Sequence, residues 1–147
     1  MTIDDLLAGR RIYRESVSKE DVAAALERAE RDLDTAERML DIDNDWAFSI
    51  SYNAVLQASR AVMFAQGYRP ASHESHKNTF AFMLATVEET QKPLISFFDR
   101  MRVRRHQAIY EAAGAVTETE ARTLLTKATE YVDWVRQQLL PQISDSP

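Results

Sequence analysis

The sequence predicts an all-α fold, an up-and-down bundle of four to five helices, on three observations. Three glycines and four prolines in 147 residues leave little turn chemistry, which argues against a β-sandwich or a barrel. Alanine, leucine, glutamate and arginine, all good helix formers, dominate the composition. Apolar residues recur every three or four positions through several long segments. We expect one helical domain at residues 18–140, between an N-terminal arm at 1–17 and a C-terminal tail at 141–147.

The composition also excludes several classes of protein. The chain has no cysteine, which excludes a disulfide framework and a Cys-based zinc site and suits a reducing compartment. Its first residues are acidic, so no signal peptide is expected. The longest apolar-rich segment, 46–65, is interrupted by six polar residues and predicts a buried helix rather than a membrane span. We therefore expect a cytoplasmic protein with no membrane association.

The first two bundle helices have clear start and stop signals. Ser18 and Asp21 have the spacing of a helix-capping pair, which places the first start at Ser18. The second helix is predicted from Asn44 to Gln66, with Gly67 as a left-handed stop. It is apolar on more than one side, so it is either central in the bundle or faces a second subunit.

Three further helices follow. The third is predicted at 72–90 and the fourth at 93–113, with a proline in its first turn and Gly114 as its stop. The fifth begins at Thr117, which has the capping-box spacing to Glu120. No segment predicts a strand. The short connections favour antiparallel neighbours, hence the up-and-down arrangement.

Charge is unevenly distributed along the chain. The segment from Lys92 to His106 contains five lysines and arginines against one acid, Asp99, and carries +4. Because the net charge is −5, the rest of the chain carries −9. A localised basic patch on an acidic body favours an anionic partner for that patch.

Arg105 is the position in the fourth helix that most needs an explanation. At about 100° per residue it falls in the middle of the apolar stripe of that helix. A guanidinium there is costly unless it is paired or opens onto a cleft. Two interpretations stay open: an arginine paired with a carboxylate inside the bundle or across a dimer seam, and a functional arginine. The stripe consists of Leu94, Phe98, Met101, Ala108, Ile109 and Ala112.

A second line of side chains shares one face of the same helix: Asp99, Arg102, His106 and Tyr110. A histidine can act as a general acid or base near neutral pH, and an arginine can grip a phosphate and steady developing charge. This group is therefore apt for phosphodiester chemistry, and the alternative is a ladder of polar surface pairs. The neighbouring arginines at 100 and 104 are expected to be solvated.

The sequence does not indicate a metal or a cofactor. His73 and His76 are three residues apart, but no Glu-x-x-His pair follows on a partner helix, as a di-metal bundle site would need. His76 is expected to pack or to form a hydrogen bond at the end of the bundle. The chain has no Gly-rich phosphate loop, Gly-x-Ser-x-Gly, His-Glu-x-x-His or EF-hand spacing.

Two runs of the sequence carry a family resemblance: the run from Trp46 to Arg60, continued through 67–70, and the run 101–111. The first is similar to the second helix of the HEPN family (higher eukaryotes and prokaryotes nucleotide-binding), and His76 stands where a histidine opens the next helix. The second resembles the family's arginine–polar–x–x–x–histidine motif. The resemblance covers about residues 18–140.

The resemblance implies a HEPN-like bundle of four or five helices, commonly a homodimer that places both motifs in a shared cleft. Many members are metal-independent ribonucleases, often toxins of toxin–antitoxin pairs, and many pair with a small nucleotidyltransferase. Carried over by position, Arg105 matches the motif arginine and His106 the polar residue after it. Tyr110 stands where ribonuclease members carry the catalytic histidine.

That departure leaves the expected function open between classes. A phenol, with an unperturbed pKa of about 10, is a poor general base near neutral pH. The leading hypothesis is RNA binding and metal-independent cleavage: Arg105 and Arg102 hold phosphate, His106 moves a proton and Tyr110 orients or donates. Arg100 or Arg102 paired with His106 would form an arginine–histidine couple at a different spacing. The alternatives are a non-catalytic bundle that docks a nucleotidyltransferase and a nucleotide-binding module.

Overall fold

The computed structural model describes residues 1–111 and 113–143. Over that part of the chain it contains six α-helices, a short 3-10 helix at Glu89–Gln91 and two three-residue strands. The all-α helical bundle predicted from the sequence is confirmed. The elements are α1 (Ile3–Ala8), β1 (Ile12–Arg14), α2 (Lys19–Met39), α3 (Asn44–Ala65), β2 (Tyr68–Pro70), α4 (Ser75–Thr86), α5 (Lys92–Ile109) and α6 (Glu118–Ile143).

Helix α3 is the centre of the bundle. It packs against α2 and α6 on one side and against α4 and α5 on the other. This position explains why α3 is apolar on more than one side: a helix surrounded by neighbours has no broad solvated face. Of the two serines that α3 buries, Ser59 is paired, with its hydroxyl 2.7 Å from that of Tyr131, whereas the Ser51 hydroxyl has no partner among the described residues. The half-buried Asn53 donates to Asp32 at 2.7 Å.

Most predicted helix boundaries agree with the structure. The Ser18 side chain accepts from the Asp21 backbone N–H at 3.1 Å, and Gly67 has a φ of +84° just after α3. The capping box before α6 forms in both directions between Thr117 and Glu120. Helix α4 is shorter than the predicted range 72–90. It runs from Ser75 to Thr86, and the separate 3-10 helix at Glu89–Gln91 follows it.

The fourth predicted helix ends earlier than expected. Helix α5 stops at Ile109 rather than 113, and Tyr110 lies in a turn. The cause is tertiary: the Asp45 carboxylate accepts from the backbone N–H groups of Gly114 and Val116, at 2.7 and 3.1 Å. These bonds hold the following loop against the start of α3.

The prediction that no segment forms a strand is wrong. Strand β1 pairs antiparallel with β2, and Ile12 lies opposite Pro70. Each strand has only three residues, which is too short for an alternating pattern to appear in the sequence. The pairing arises because the chain turns at Gly67, whose carbonyl accepts from the Glu15 backbone N–H at 2.8 Å.

The predicted arm and tail both touch the bundle. Leu6 of α1 and Ile12 of β1 are fully buried in the core, so the segment before α2 packs on the helices. Helix α6 continues through Pro141 to Ile143, and residues 144–147 of the predicted tail lie outside the described residues. No helix within the described ranges is long and apolar enough to span a membrane.

Candidate functional site

A cleft of about 340 Å³ lies between the start of α4 and the C-terminal half of α5, next to α3. Helix α5 contributes three of the four sequence-predicted site residues, Arg102, Arg105 and His106. The fourth, Tyr110, is 79% exposed beyond the end of α5 and does not line the cleft. The other lining residues come from α3 and from the segment that opens α4: Tyr52, Ser72, Glu74, Ser75, His76 and Lys77.

Arg105 is half-buried and lies over an aromatic ring. Its guanidinium carbon is 5.3 Å from the centroid of the Tyr52 ring, a cation–π arrangement. Its Nε is buried and has no hydrogen-bond partner among the described residues. No described carboxylate pairs with Arg105, so the interpretation as an internal ion pair lacks a partner in this part of the chain. The guanidinium instead opens onto the cleft.

The four residues predicted to share one face of this helix form two contacts, one between Arg102 and Asp99 and one between His106 and Tyr110. The Arg102 Nε donates to the Asp99 carboxylate at 2.8 Å, which fixes the side chain and leaves its terminal nitrogens free of that bond. The His106 and Tyr110 rings meet edge to face, with centroids 5.2 Å apart. His106 is exposed at the rim of the cleft, and Tyr110 packs on the side of its ring.

Sequence reasoning did not place Tyr52 and His76 in the site. The Tyr52 hydroxyl lies 3.1 Å from the His76 Nδ1, and both residues line the cleft. Burial raises the pKa of the Tyr52 hydroxyl. Burial first, and then the nearby positive charges of Arg60, Arg105 and Arg102, lower the pKa of His76 to about 4. His76 is therefore neutral at physiological pH.

The first turn of α4 forms one wall of the cleft. Its N-cap residue, Glu74, has a φ of +53°, in the left-handed region, and no side chain caps this helix start. The first backbone N–H groups of a helix carry partial positive charge and lack partners within the helix. This wall therefore adds hydrogen-bond donors to those of the two arginines.

The cationic patch is smaller than the sequence suggested. The expectation that Arg104 is solvated is wrong: it binds Glu120 at 2.9 Å, Glu111 at 3.1 Å and the Ala115 carbonyl at 3.1 Å. Periodicity cannot show these partners because they lie beyond the end of α5. Two other cations of the patch are also engaged, as Lys92 pairs with Glu89 and Arg100 lies over the Phe97 ring.

The arrangement suits an anion better than a metal ion. Among the described residues, no three His, Asp or Glu side chains converge as a metal site would require. Arg60, half-buried on α3, adds a third positive charge near His76. Glu74 is the one acid among the residues that line the cleft, while arginines and a helix start supply donors.

Comparison with known proteins agrees with this architecture. The family model for the HEPN domain matches residues 22–138, and the chain belongs to the HEPN family. This match spans the bundle from the first turn of α2 to near the end of α6.

Two solved structures have a similar fold. An archaeal HEPN homologue, ST0689, superposes with a TM-score of 0.63 and 20% identity, covering 80% of this chain and 97% of its own. TT1696 from Thermus thermophilus superposes with a TM-score of 0.63 and 22% identity, covering 80% and 98%. No curated protein matches the chain. At these identities the similarity is one of fold.

Proposed function

We propose that this protein binds RNA, with a backbone phosphate in the cleft. The observation that carries the proposal is the half-buried Arg105, which lines the cleft and has no carboxylate partner among the described residues. Its terminal nitrogens are not among the buried unpaired atoms, so they are the donors that an anionic ligand in the cleft can reach. Arg102 and the uncapped start of α4 would share the same phosphate charge.

Metal-independent cleavage is the second part of the proposal. His106 is exposed beside the two arginines, so its imidazole can reach a bound ribose. In this step His106 removes the proton from the 2′-hydroxyl, the 2′-oxygen attacks phosphorus, and the 5′-oxygen leaves with a proton from Tyr110 or water. Arg105 stabilises the added negative charge on the phosphate oxygens. The products are a cyclic phosphate and a free 5′-hydroxyl.

A second copy of the chain would complete the site as a homodimer. Trp46 and Ile109 are 60% and 58% exposed, and they line a depression of about 350 Å³ that also includes Arg105. Large exposed apolar side chains grouped beside a functional residue indicate a protein interface. The alternative function, docking of a nucleotidyltransferase, would use the same surface.

The test measures binding and cleavage of a fluorescently labelled single-stranded RNA in EDTA. We expect Arg105→Gln and Arg102→Gln each to weaken binding about tenfold, because each removes a charge-assisted contact to phosphate. Arg122→Gln is the matched control, since Arg122 pairs with Glu118 on the exposed face of α6. Unchanged affinity in both cleft variants would contradict the binding site.

Cleavage is assayed separately with His106→Ala. We expect this variant to bind RNA close to the wild-type affinity and to lose cleavage. If the wild-type protein binds RNA but leaves it intact at high protein excess, the catalytic step is wrong and the binding function remains. If neither RNA binding nor cleavage occurs while a purified nucleotidyltransferase is bound, the alternative function is supported.

A further inference from the structure

The two nitrogens of His76 are in different environments. Nδ1 is 3.1 Å from the hydroxyl of Tyr52, a residue only 1% exposed. Nε2 has no hydrogen bond to any described residue and is not among their buried unpaired atoms. Because His76 lines the cleft, Nε2 is the edge that remains available to a ligand there.

The bond to Tyr52 determines which nitrogen carries the proton. Burial keeps the phenol protonated, and no acceptor among the described residues other than His76 lies within bonding distance of its hydroxyl. The hydroxyl therefore donates to Nδ1, since a buried donor without an acceptor is costly. A neutral imidazole has one donor and one acceptor, so the proton of His76 is on Nε2.

Burial and then the neighbouring charges keep this ring neutral. Arg60, Arg102 and Arg105 all act against a positive charge on His76. Lys77 and His106 are also at the cleft, and Glu74 is the acid on the same wall. A fourth positive charge beside the three arginines would be repelled. A neutral N–H instead offers a ligand a directional hydrogen bond and adds no charge.

We propose that His76, held in the Nε2–H tautomer by Tyr52, is a ligand-binding residue that donates a neutral hydrogen bond to a phosphate oxygen of the RNA. This proposal rests on the proposed function and adds a contact from α4 to those from α5. A phosphate oxygen accepts without needing to donate in return, which matches a site lined by two arginines, Lys77 and one acid, Glu74. If His76 had only a structural role at the end of the bundle, the hydrogen bond between Nδ1 and Tyr52 would be needed and the Nε2–H group would not.

The experiment compares His76→Gln with His76→Asn for affinity to the same labelled RNA. A glutamine amide reaches the position of Nε2, whereas an asparagine amide reaches only that of Nδ1 and can satisfy Tyr52 alone. We expect His76→Asn to weaken binding about tenfold, the range for loss of a hydrogen bond to a charged group. His76→Gln should stay within about threefold of the wild type. Thermal unfolding of both variants shows whether each is folded.

Nitrogen-15 spectra of the histidine rings give an independent readout. We expect His76 to show the neutral Nε2–H pattern from pH 8 to pH 5, and the Nε2 resonance to move when RNA is added. Wild-type affinity in a folded His76→Asn variant, or an Nδ1–H tautomer, would overturn the proposal.

The same titrations separate this proposal from the proposed function. If Arg102→Gln and Arg105→Gln weaken binding and His76→Asn does not, only the role of His76 is wrong. If all three variants bind RNA as the wild type does, the cleft itself is not the binding site.

Discussion

At the scale of single residues, Arg105 and Tyr52 stabilise each other at the wall of the cleft. The guanidinium lies over the Tyr52 ring, and the Tyr52 hydroxyl is hydrogen-bonded to His76. The cation–π contact offsets part of the cost of half-burying an unpaired guanidinium. The remaining donors are directed to the open side, which is why this arginine can serve a ligand.

The neutral state of His76 makes stability depend on pH. In the unfolded chain a histidine has a pKa of about 6.5, whereas burial and the adjacent arginines lower the pKa of His76 to about 4 in the folded protein. The unfolded state therefore binds more protons between these values, and the free energy of unfolding decreases as pH falls from 6.5 to 4.

This pH dependence is tested by chemical denaturation of the wild type and His76→Gln across that range. The free energy of unfolding should fall more steeply for the wild type than for the variant, which lacks the titrating ring. His73→Gln is the matched control because His73 is exposed nearby, and it should follow the wild type. Parallel curves for wild type and His76→Gln would contradict the assignment.

At this scale, the sequence predicts only some of the residues that line the candidate site. Arg105 was found because a charge interrupts an apolar helical stripe, a pattern visible without the structure. The sequence alone does not single out Tyr52, because its partner His76 lies 24 residues further on and their contact is tertiary. Periodicity predicts Tyr110 on the same helix face as His106, but α5 ends at Ile109 and Tyr110 lies in the turn that follows.

At the scale of elements, the end of α5 is fixed by Arg104. This side chain connects α5 to the start of α6 through Glu120 and to the intervening loop through Glu111 and the Ala115 carbonyl. Asp45 holds the same loop against α3. Together these bonds position the last turn of α5, which carries His106.

Arg104→Gln should loosen that turn. We expect the free energy of unfolding to fall by about 1 kcal/mol. The substitution removes the one cation that pairs with both Glu111 and Glu120, and these pairs are partly exposed to solvent, which limits the loss. Amide hydrogen exchange should accelerate at 106–111 and 113–116. Arg122→Gln, which breaks an exposed pair one turn into α6, should change stability by only a few tenths of a kcal/mol. Equal effects of the two substitutions would contradict the role of Arg104.

At the scale of the whole molecule, the sequence predicted the bundle well and its edges poorly. Long helices are specified by periodicity and caps, such as the Thr117–Glu120 box. The β1–β2 pair and the early end of α5 depend on contacts between segments far apart in the chain. Such contacts leave no local pattern in three or four residues.

The proposed homodimer is also a whole-molecule property. We expect the wild type to sediment as a dimer and Ile109→Glu to sediment as a monomer, because a charge would be buried in an apolar interface. Tyr13→Glu is the control: Tyr13 is 40% exposed on β1, near the opposite end of α3 from Trp46. A monomeric wild type, or an Ile109→Glu variant that remains dimeric, would contradict the proposed interface.

The central claim, that the cleft binds an RNA phosphate, is tested most directly by the salt dependence of RNA affinity. Each phosphate of a single strand that the protein neutralises adds about 0.7 to the steepness of log affinity against log salt. Because Arg102 and Arg105 share one phosphate, we predict that the Arg102→Gln/Arg105→Gln double variant has a slope shallower than that of the wild type by about 0.7. An unchanged slope in the folded double variant would contradict the claim.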